Sequence, residues 1–298
     1  MKRSRLRWAM LPLAAILLLA IGAGCASSRS ASRLVILLTD FGDEGSYRGS
    51  LKGSIYRVCP DARIDEITHQ VPPFDIEEGA RILREAAAEY PPGTIFVAVV
   101  DPGVGSTRRA IAARDREGRV FIGPDNGLLF LALEAGGMVE AREIDSSRWG
   151  GEEAPPSATF HGRDIFGPAA GRVACGIDLS DLGPPVTSIV RLDLPAPVTQ
   201  GTQVRGRVAS IDRYGNLLTD IPIEAIRKLG ASPGDILRVL IGSKPISCPW
   251  VRTYGDVEKG RVLCLENSQG LLEIAENQGS LAARIEAQRG IKVEVGAE

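Results

Sequence analysis

The sequence predicts an α/β fold in two domains, on three observations. Two short apolar runs, "RLVILLTD" and "GTIFVAVVD", each end in a polar residue and lie about sixty residues apart. Helical spacing fills the interval between them, and past residue 200 the segments become short and turn-bounded. Strands alternating with helices argue for a mostly parallel sheet covered on both faces. A series of short strands argues for a small antiparallel sandwich or barrel. The chain has the material for both, since 298 residues, 44% hydrophobic and 24% charged, can bury a real core and divide into two domains. With a formal net charge of −2 and 5% aromatics, it lacks the basic footprint that a phosphate backbone requires, so nucleic acid is excluded as a partner.

The elements follow in order. "MKRSR" is basic, "WAMLPLAAILLLAIGA" is apolar, and "GAGCASS" supplies small residues before a cysteine. Together they read as an export signal over residues 1–24. The apolar run is short for a membrane span of about 20 residues. It resembles a bacterial lipoprotein signal with Cys25 as the lipidated residue. That implies export and membrane attachment through an N-terminal lipid, on the periplasmic or cell-surface side. Gly22 stands where such signals carry Leu, and an ordinary secretory signal or an uncleaved anchor is the alternative.

Residues 25–33 form a polar tether, and an N-terminal α/β domain spans 34–192. Within it "SYRGSLKGSIYRVCP" and "DIEEGARILREAAAEYPPG" predict helices, the second stopped by Pro-Pro-Gly. "HGRDIFGPAAGRVACG" predicts another, and "LDLPAPVTQGTQ" supplies a linker at 193–202. The C-terminal domain, 203–298, carries strands in "VRGRVASIDRYGNLLTDI", "ILRVLIG", "RVLCLEN" and "GLLEIAEN". Cys59, Cys175, Cys248 and Cys264 show no CxxC pairing and no His-rich neighbourhood, so no zinc site is expected. They read as small core residues. One disulfide is compatible with an exported chain, and the spacing does not say which cysteines would pair.

In parallel sheets ligands bind beyond the carboxyl ends of the strands, and Asp40 and Asp101 fall at those ends. Asp101 opens "DPGVGSTRRA", which is neither the dinucleotide fingerprint nor a P-loop, so phosphate binding is not implied. Only two histidines occur. His69, in "DEITHQVPP", reads as a structural residue, whereas His161, in "TFHGRD", precedes a glycine that lets a ligand approach. If that loop lies beside the end of the 95–101 strand, then Asp101, Arg108 and His161 form a cluster of acid, cation and imidazole. Such a cluster can orient and deprotonate a water. Taken singly, Asp101 is a turn cap before Pro102, Arg108 and Arg109 are a solvated pair, and "IGPDNGLL" is a turn.

Together the motifs carry more. "LLTDFGDEGSYRGSLKG", "EITHQVPPFDIEEGA", "GTIFVAVVDPGVGSTRRAI", "FIGPDNGLL", "TFHGRDIFGPAA", "IDRYGNLLTDI" and "ENSQGLLEIAEN" follow one another in the order of the S-adenosylmethionine hydrolase family. This is the S-adenosylmethionine hydroxide adenosyltransferases, kin to fluorinase and chlorinase, and the resemblance runs from about Leu34 to the C-terminus. It implies a Rossmann-like N-terminal domain and a C-terminal β-barrel. It also implies a homotrimer with active sites between one subunit's N-terminal domain and the next subunit's C-terminal domain, and no cofactor. The reaction it implies is cleavage of S-adenosylmethionine by water to adenosine and methionine.

By motif position Asp101, Arg108 and His161 resemble the family's catalytic triad, and Asp40 the carboxylate that holds the ribose hydroxyls. Phe74 corresponds to an aromatic residue beside the sugar, and Asn216, Glu276, Asn277 and Gln278 to adenine contacts. Ser268 and Asp212 lie where the methionine end is held. A carboxylate at position 101 would repel a halide, which favours hydrolysis over halogenation. Gly45 stands where the family has a further Asp, and Asp220 where its barrel motif has Asn. The competing reading is a non-catalytic exported lipoprotein that binds adenosine or another nucleoside.

Overall fold

The computed structural model describes residues 33–149 and 156–297. Cys25 and the leader-like segment before it lie outside the described residues. The first half builds β1 (Leu34–Thr39), α1 (Tyr47–Val58), β2 (Arg63–Thr68), α2 (Ile76–Ala87) and β3 (Ile95–Val99). It continues with β4 (Ala110–Asp115), β5 (Val120–Pro124), α3 (Phe130–Gly136), β6 (Met138–Glu143), the short α4 (Ser146–Trp149) and α5 (Gly167–Ala174). The strands form one six-stranded sheet in the order β2-β1-β3-β5-β4-β6.

Four of these strands are parallel, and β4 runs antiparallel to both β5 and β6. The expected mostly parallel sheet is thus a mixed one. The reason is local: Asp115 folds the chain straight back, accepting from the backbone N–H of Glu117 at 3.0 Å and of Arg119 at 2.9 Å. Gly118 takes a positive φ of 74° in that turn. So tight a connection can join only antiparallel neighbours.

The runs β1 and β3 are apolar throughout because both of their faces are covered. Val35, Leu37 and Val97 pack with Leu51 and Ile55 of α1 and Ala169 and Val173 of α5. Ile36, Leu38, Phe96 and Ala98 point the other way, to Leu83 and Ala87 of α2 and Leu133 of α3. On α1 and α2 the buried residues recur four apart, Leu51 with Ile55 and Leu83 with Ala87, as the spacing predicts. Asp75 caps α2, its side chain accepting from the Glu78 N–H.

The second half contains β7 (Val198–Gln200), β8 (Gln203–Ile211), β9 (Leu217–Pro222), α6 (Ile223–Arg227), β10 (Ile236–Ile241) and β11 (Lys244–Pro249). Then come β12 (Val262–Glu266), β13 (Leu271–Glu276), α7 (Leu281–Ile285) and β14 (Lys292–Ala297). Its strands follow the path β11-β10-β14-β8-β9-β13-β12, and a bridge from Trp250 to Cys264 brings the two ends together. The result is a nearly barrel-shaped antiparallel sheet around Val204, Val208, Leu217, Leu272 and Trp250. The expected linker carries β7, which pairs with β8.

Both cysteine pairs are bonded, which goes beyond the single disulfide the sequence allowed. Cys59 at the end of α1 joins Cys175 at the end of α5, and Cys248 of β11 joins Cys264 of β12. Each pair has its Cα atoms 5.7 Å apart.

Candidate functional site

Thr39 and Val99 are register partners in the parallel pair β1–β3, so the chain beyond both strands leaves the sheet at the same rim. Asp40 and Asp101 emerge there side by side. After Asp101 the chain turns tightly, the Val104 N–H bonding to the Asp101 carbonyl at 3.2 Å and the Ser106 N–H to the Gly103 carbonyl at 3.1 Å. Gly105 has φ +77°, and a Cβ there would collide with the Ala158 carbonyl, so only glycine fits.

This turn returns Arg108 to Asp101. The Arg108 Nε lies 3.0 Å and 3.1 Å from the two carboxylate oxygens, and its Nη2 also pairs with Oδ2. The same Nη2 donates to His161 Nδ1 at 2.7 Å. Below it the Phe166 ring supports the guanidinium, 5.3 Å from the ring centroid. His161 precedes a five-residue π-helical turn, Gly162–Phe166, that leads into α5. The segment expected as a single helix is therefore a π turn followed by an α-helix, an arrangement often found at functional sites.

The structure brings Asp101, Arg108 and His161 together in one hydrogen-bonded line. His161 is oriented by Arg108 rather than directly by Asp101, since the guanidinium lies between acid and imidazole. An arginine can only donate, so Nδ1 accepts and the imidazole carries its proton on Nε2. Burial, and after it the Arg108 charge, hold the His161 pKa below its ordinary value. Arg109 takes a different part: it binds Asp125 and the Ser188 carbonyl, tying the loop that leads out of the domain. Asn126 likewise braces the strand end, donating to the Val100 carbonyl at 2.9 Å.

Asp101 and His161 line a cleft of about 100 Å³ with Asp40, Phe41, Phe74 and Phe160. Asp40 Oδ2 accepts the Phe74 N–H at 2.9 Å. Phe74 is 70% exposed and has φ +67°, a conformation that a bulky residue adopts only under constraint. Sequence reasoning passed over Phe41 and Phe160, which make an edge-on aromatic pair 5.8 Å apart on the cleft wall. Their signal was present, since each sits inside a motif beside an acid or a histidine. His69 is buried and bonds to Thr39 Oγ1 at 2.7 Å, behind the cleft.

A second cleft, of about 650 Å³, opens at the end of the barrel. Asp212, Asn216, Glu276, Asn277 and Gln278 all line it, together with Tyr214 and Tyr254. Asp212 locks the loop, accepting the Tyr214 and Asn216 N–H groups at 2.9 Å each and the Asn216 side-chain amide at 2.8 Å. Tyr254 donates to buried Glu273 at 2.6 Å. Burial, reinforced by that carboxylate, pushes the Tyr254 pKa up. No sequence motif singled out Tyr254. Ser268 is not among the lining residues: it sits exposed in the turn between β12 and β13. The two clefts share no lining residue.

Comparison with known proteins bears on the whole chain. Residues 35–183 match the SAM hydroxide adenosyltransferase N-terminal domain, and residues 206–294 match its C-terminal domain. The (R)-S-adenosyl-L-methionine hydrolase of Salinispora tropica is 38% identical over 265 residues, 87% of this chain and 96% of the relative. That of Thermus thermophilus is 36% identical over 272 residues, 88% of this chain and 98% of the relative. A crystal structure of an uncharacterized conserved protein from Thermotoga maritima superposes with a TM-score of 0.84 at 37% identity, covering 88% of this chain and 99% of that one.

These findings correct the expectation of an exported lipoprotein attached to a membrane through Cys25. The relatives are named as hydrolases and match over 96% and 98% of their own lengths, and the family match of this chain starts at residue 35. Among the described residues no helix is long and apolar enough to cross a membrane. The export expectation comes from the composition of residues 1–24, outside the matched region. Two consecutive domain matches and relatives above 30% identity over nearly their full length mean that the chain belongs to the SAM hydroxide adenosyltransferase family.

Proposed function

We propose that this protein hydrolyses (R)-S-adenosyl-L-methionine to adenosine and L-methionine, with Asp101, Arg108 and His161 activating the water. The observation that carries the mechanism is the continuous hydrogen-bonded line Asp101–Arg108–His161 beside a cleft that also holds Asp40. Carbon 5′ of a sulfonium is already activated, and its leaving group departs as a neutral thioether that takes the C–S electron pair. Only the nucleophile needs help, because bulk water, with a pKa near 15.7, attacks poorly.

The site supplies that help in two ways. Asp101, which lines the cleft, accepts the proton of the attacking water on a carboxylate lone pair that Arg108 leaves free, a role worth about 10²–10⁴-fold. His161, kept neutral by burial and by Arg108, holds that water from its Nε2–H. Arg108 neutralises the hydroxide charge as it grows, and Asp101 holds the guanidinium by both oxygens. Fixing the water in line with the C–S bond contributes up to roughly 7–11 kcal/mol. The oxygen ends as the 5′-hydroxyl of adenosine. Nε and Nη2 of Arg108 are already engaged with Asp101 and His161, which leaves a halide few donors to replace its water and favours hydrolysis.

In this reading the first sheet works as a Rossmann-like nucleoside platform, with Asp40 taking the ribose hydroxyls and Phe74 packing beside the sugar. The barrel cleft takes the adenine through Asn216 and Glu276 to Gln278, with Asp212 orienting Asn216. Separate clefts without common walls support a homotrimer in which one subunit's Asp40 cleft meets its neighbour's barrel cleft. Phe74 and Tyr214, each 70% exposed at the rim of one cleft, would be covered by that meeting.

The test is chromatography of products after incubation with S-adenosylmethionine. Adenosine and methionine should appear in equal amounts, and His161→Ala and Asp101→Asn should each slow their release by about 10²–10⁴-fold. Ordinary turnover in both variants would remove the triad assignment.

A further inference from the structure

Arg289 lies in the turn before β14, yet it reaches out of the barrel to the first domain. Its guanidinium pairs with Asp75 and lies 3.3 Å from Glu77 and 3.9 Å from Glu78. Asp75 is the cap of α2, with Oδ1 accepting the Glu78 N–H at 3.0 Å and Oδ2 pairing with Arg289. Both carboxylate oxygens are therefore spoken for, one from each domain. The two side chains keep 27% and 26% of their exposure, so the pair is less screened than a fully exposed surface bridge.

The residue before this cap is Phe74. Its left-handed backbone, φ +67°, persists only where the surroundings over-determine it. The surroundings here are specific. The Asp75 N–H bonds to the Pro72 carbonyl and the Ile76 N–H to the Phe74 carbonyl, both at 3.0 Å, while the Phe74 N–H is spent on Asp40 at 2.9 Å. A short path thus runs from the barrel through Arg289, Asp75 and Phe74 to Asp40.

Other contacts hold the two domains together without touching the cap. Arg207 pairs with Glu77 at 2.8 Å and with Asp220 at 3.4 Å, and Ser210 donates to Glu78 at 3.0 Å. Asp220 accepts the Arg207 backbone N–H at 2.8 Å. Arg207 and Arg289 share Glu77, and what Arg289 adds is its pairing with the cap, Asp75.

We propose that Arg289 is a positioning residue: by holding Asp75 it fixes the Phe74–Asp40 pair in the geometry that receives the sugar, so the barrel sets substrate affinity in the cleft of its own chain. The proposal rests on the reading of Asp40 as the ribose carboxylate. Charge at the cap carries it, because Asp75 is an adequate cap by itself and Arg289 is what stops it from turning with Phe74.

The experiment is steady-state kinetics on the full chain with Arg289→Gln, Asp75→Asn, Arg289→Lys, Arg207→Gln and Asp40→Ala, each with its melting temperature. Arg289→Gln and Asp75→Asn, which keeps the cap but not the charge, should raise KM about tenfold with kcat within about twofold. Arg289→Lys should recover most of the affinity. Arg207→Gln should lower the melting temperature and leave KM unchanged. An unaltered KM in Arg289→Gln, or an equal rise in Arg207→Gln, would overturn the clamp while leaving the hydrolase reading intact. An unaltered KM in Asp40→Ala would instead remove the ribose reading and the clamp with it.

Discussion

A guanidinium placed between an acid and an imidazole changes what the imidazole can do. Because Arg108 donates to Nδ1 of His161 at 2.7 Å, the neutral ring is favoured and protonation is opposed, by burial first and by the Arg108 charge second. The sign for activity follows directly. Only the neutral ring has an Nδ1 lone pair to accept from Arg108, and a lowered pKa keeps it neutral to lower pH. The pH profile of kcat/KM should therefore stay flat from neutrality down through about pH 6.5, the ordinary histidine value, and fall only below it. A profile that already falls between pH 8 and about 7 would show that a neutral His161 is not what the reaction requires. The identities in this cluster were legible in the sequence because each sits in a motif with an acid, a glycine or a second cation. Their order was not, since nothing in "DPGVGSTRRA" says whether the first or the second arginine turns inward. Arg109 spends its charge on Asp125 instead, a partner sixteen residues further along the chain.

Turns, more than strands, decide where the chemistry sits. Glycine at 105 permits both the positive φ and the close passage under Ala158, and that passage aims Arg108. Gly105→Ala should cost about 1–3 kcal/mol of stability and lower kcat by at least about tenfold through displacement of the arginine. Melting curves and initial rates would check both, and an alanine variant with native kcat would detach the turn from the site. The apolar runs of β1 and β3 were legible because both their faces are buried, and α1 and α2 because their apolar residues recur four apart. The reversal of β4 was not. It depends on Asp115 capturing two backbone N–H groups in one turn, a local event in a segment with no unusual periodicity. Nor was the π turn after His161, since the same residues satisfy an α-helical pattern.

Across the whole molecule the two clefts pose a single question, because neither one by itself presents both triad and adenine candidates. If neighbouring subunits complete each other, two variants broken in different halves should repair one another. Asp101→Asn and Asn216→Ala chains, each poorly active, should regain measurable turnover when co-expressed, since mixed assemblies contain sites with both halves intact. Activity no greater than the sum of the separate variants would confine the site to one chain. The division into an α/β half and a barrel half could be read from the change in segment length near residue 200. Contacts such as Arg289 to Asp75 could not, being separated by 214 positions and carried by ordinary surface residue types.

The seam of the barrel has a consequence of its own. Where β11 and β12 approach, a backbone bridge from Trp250 to Cys264 and a covalent bond from Cys248 to Cys264 stitch the margins together. A margin closed in this way sets the two edges against each other, which hinders a stray strand of a misfolded neighbour from adding to either. What the barrel offers another molecule is then its mouth rather than its flank.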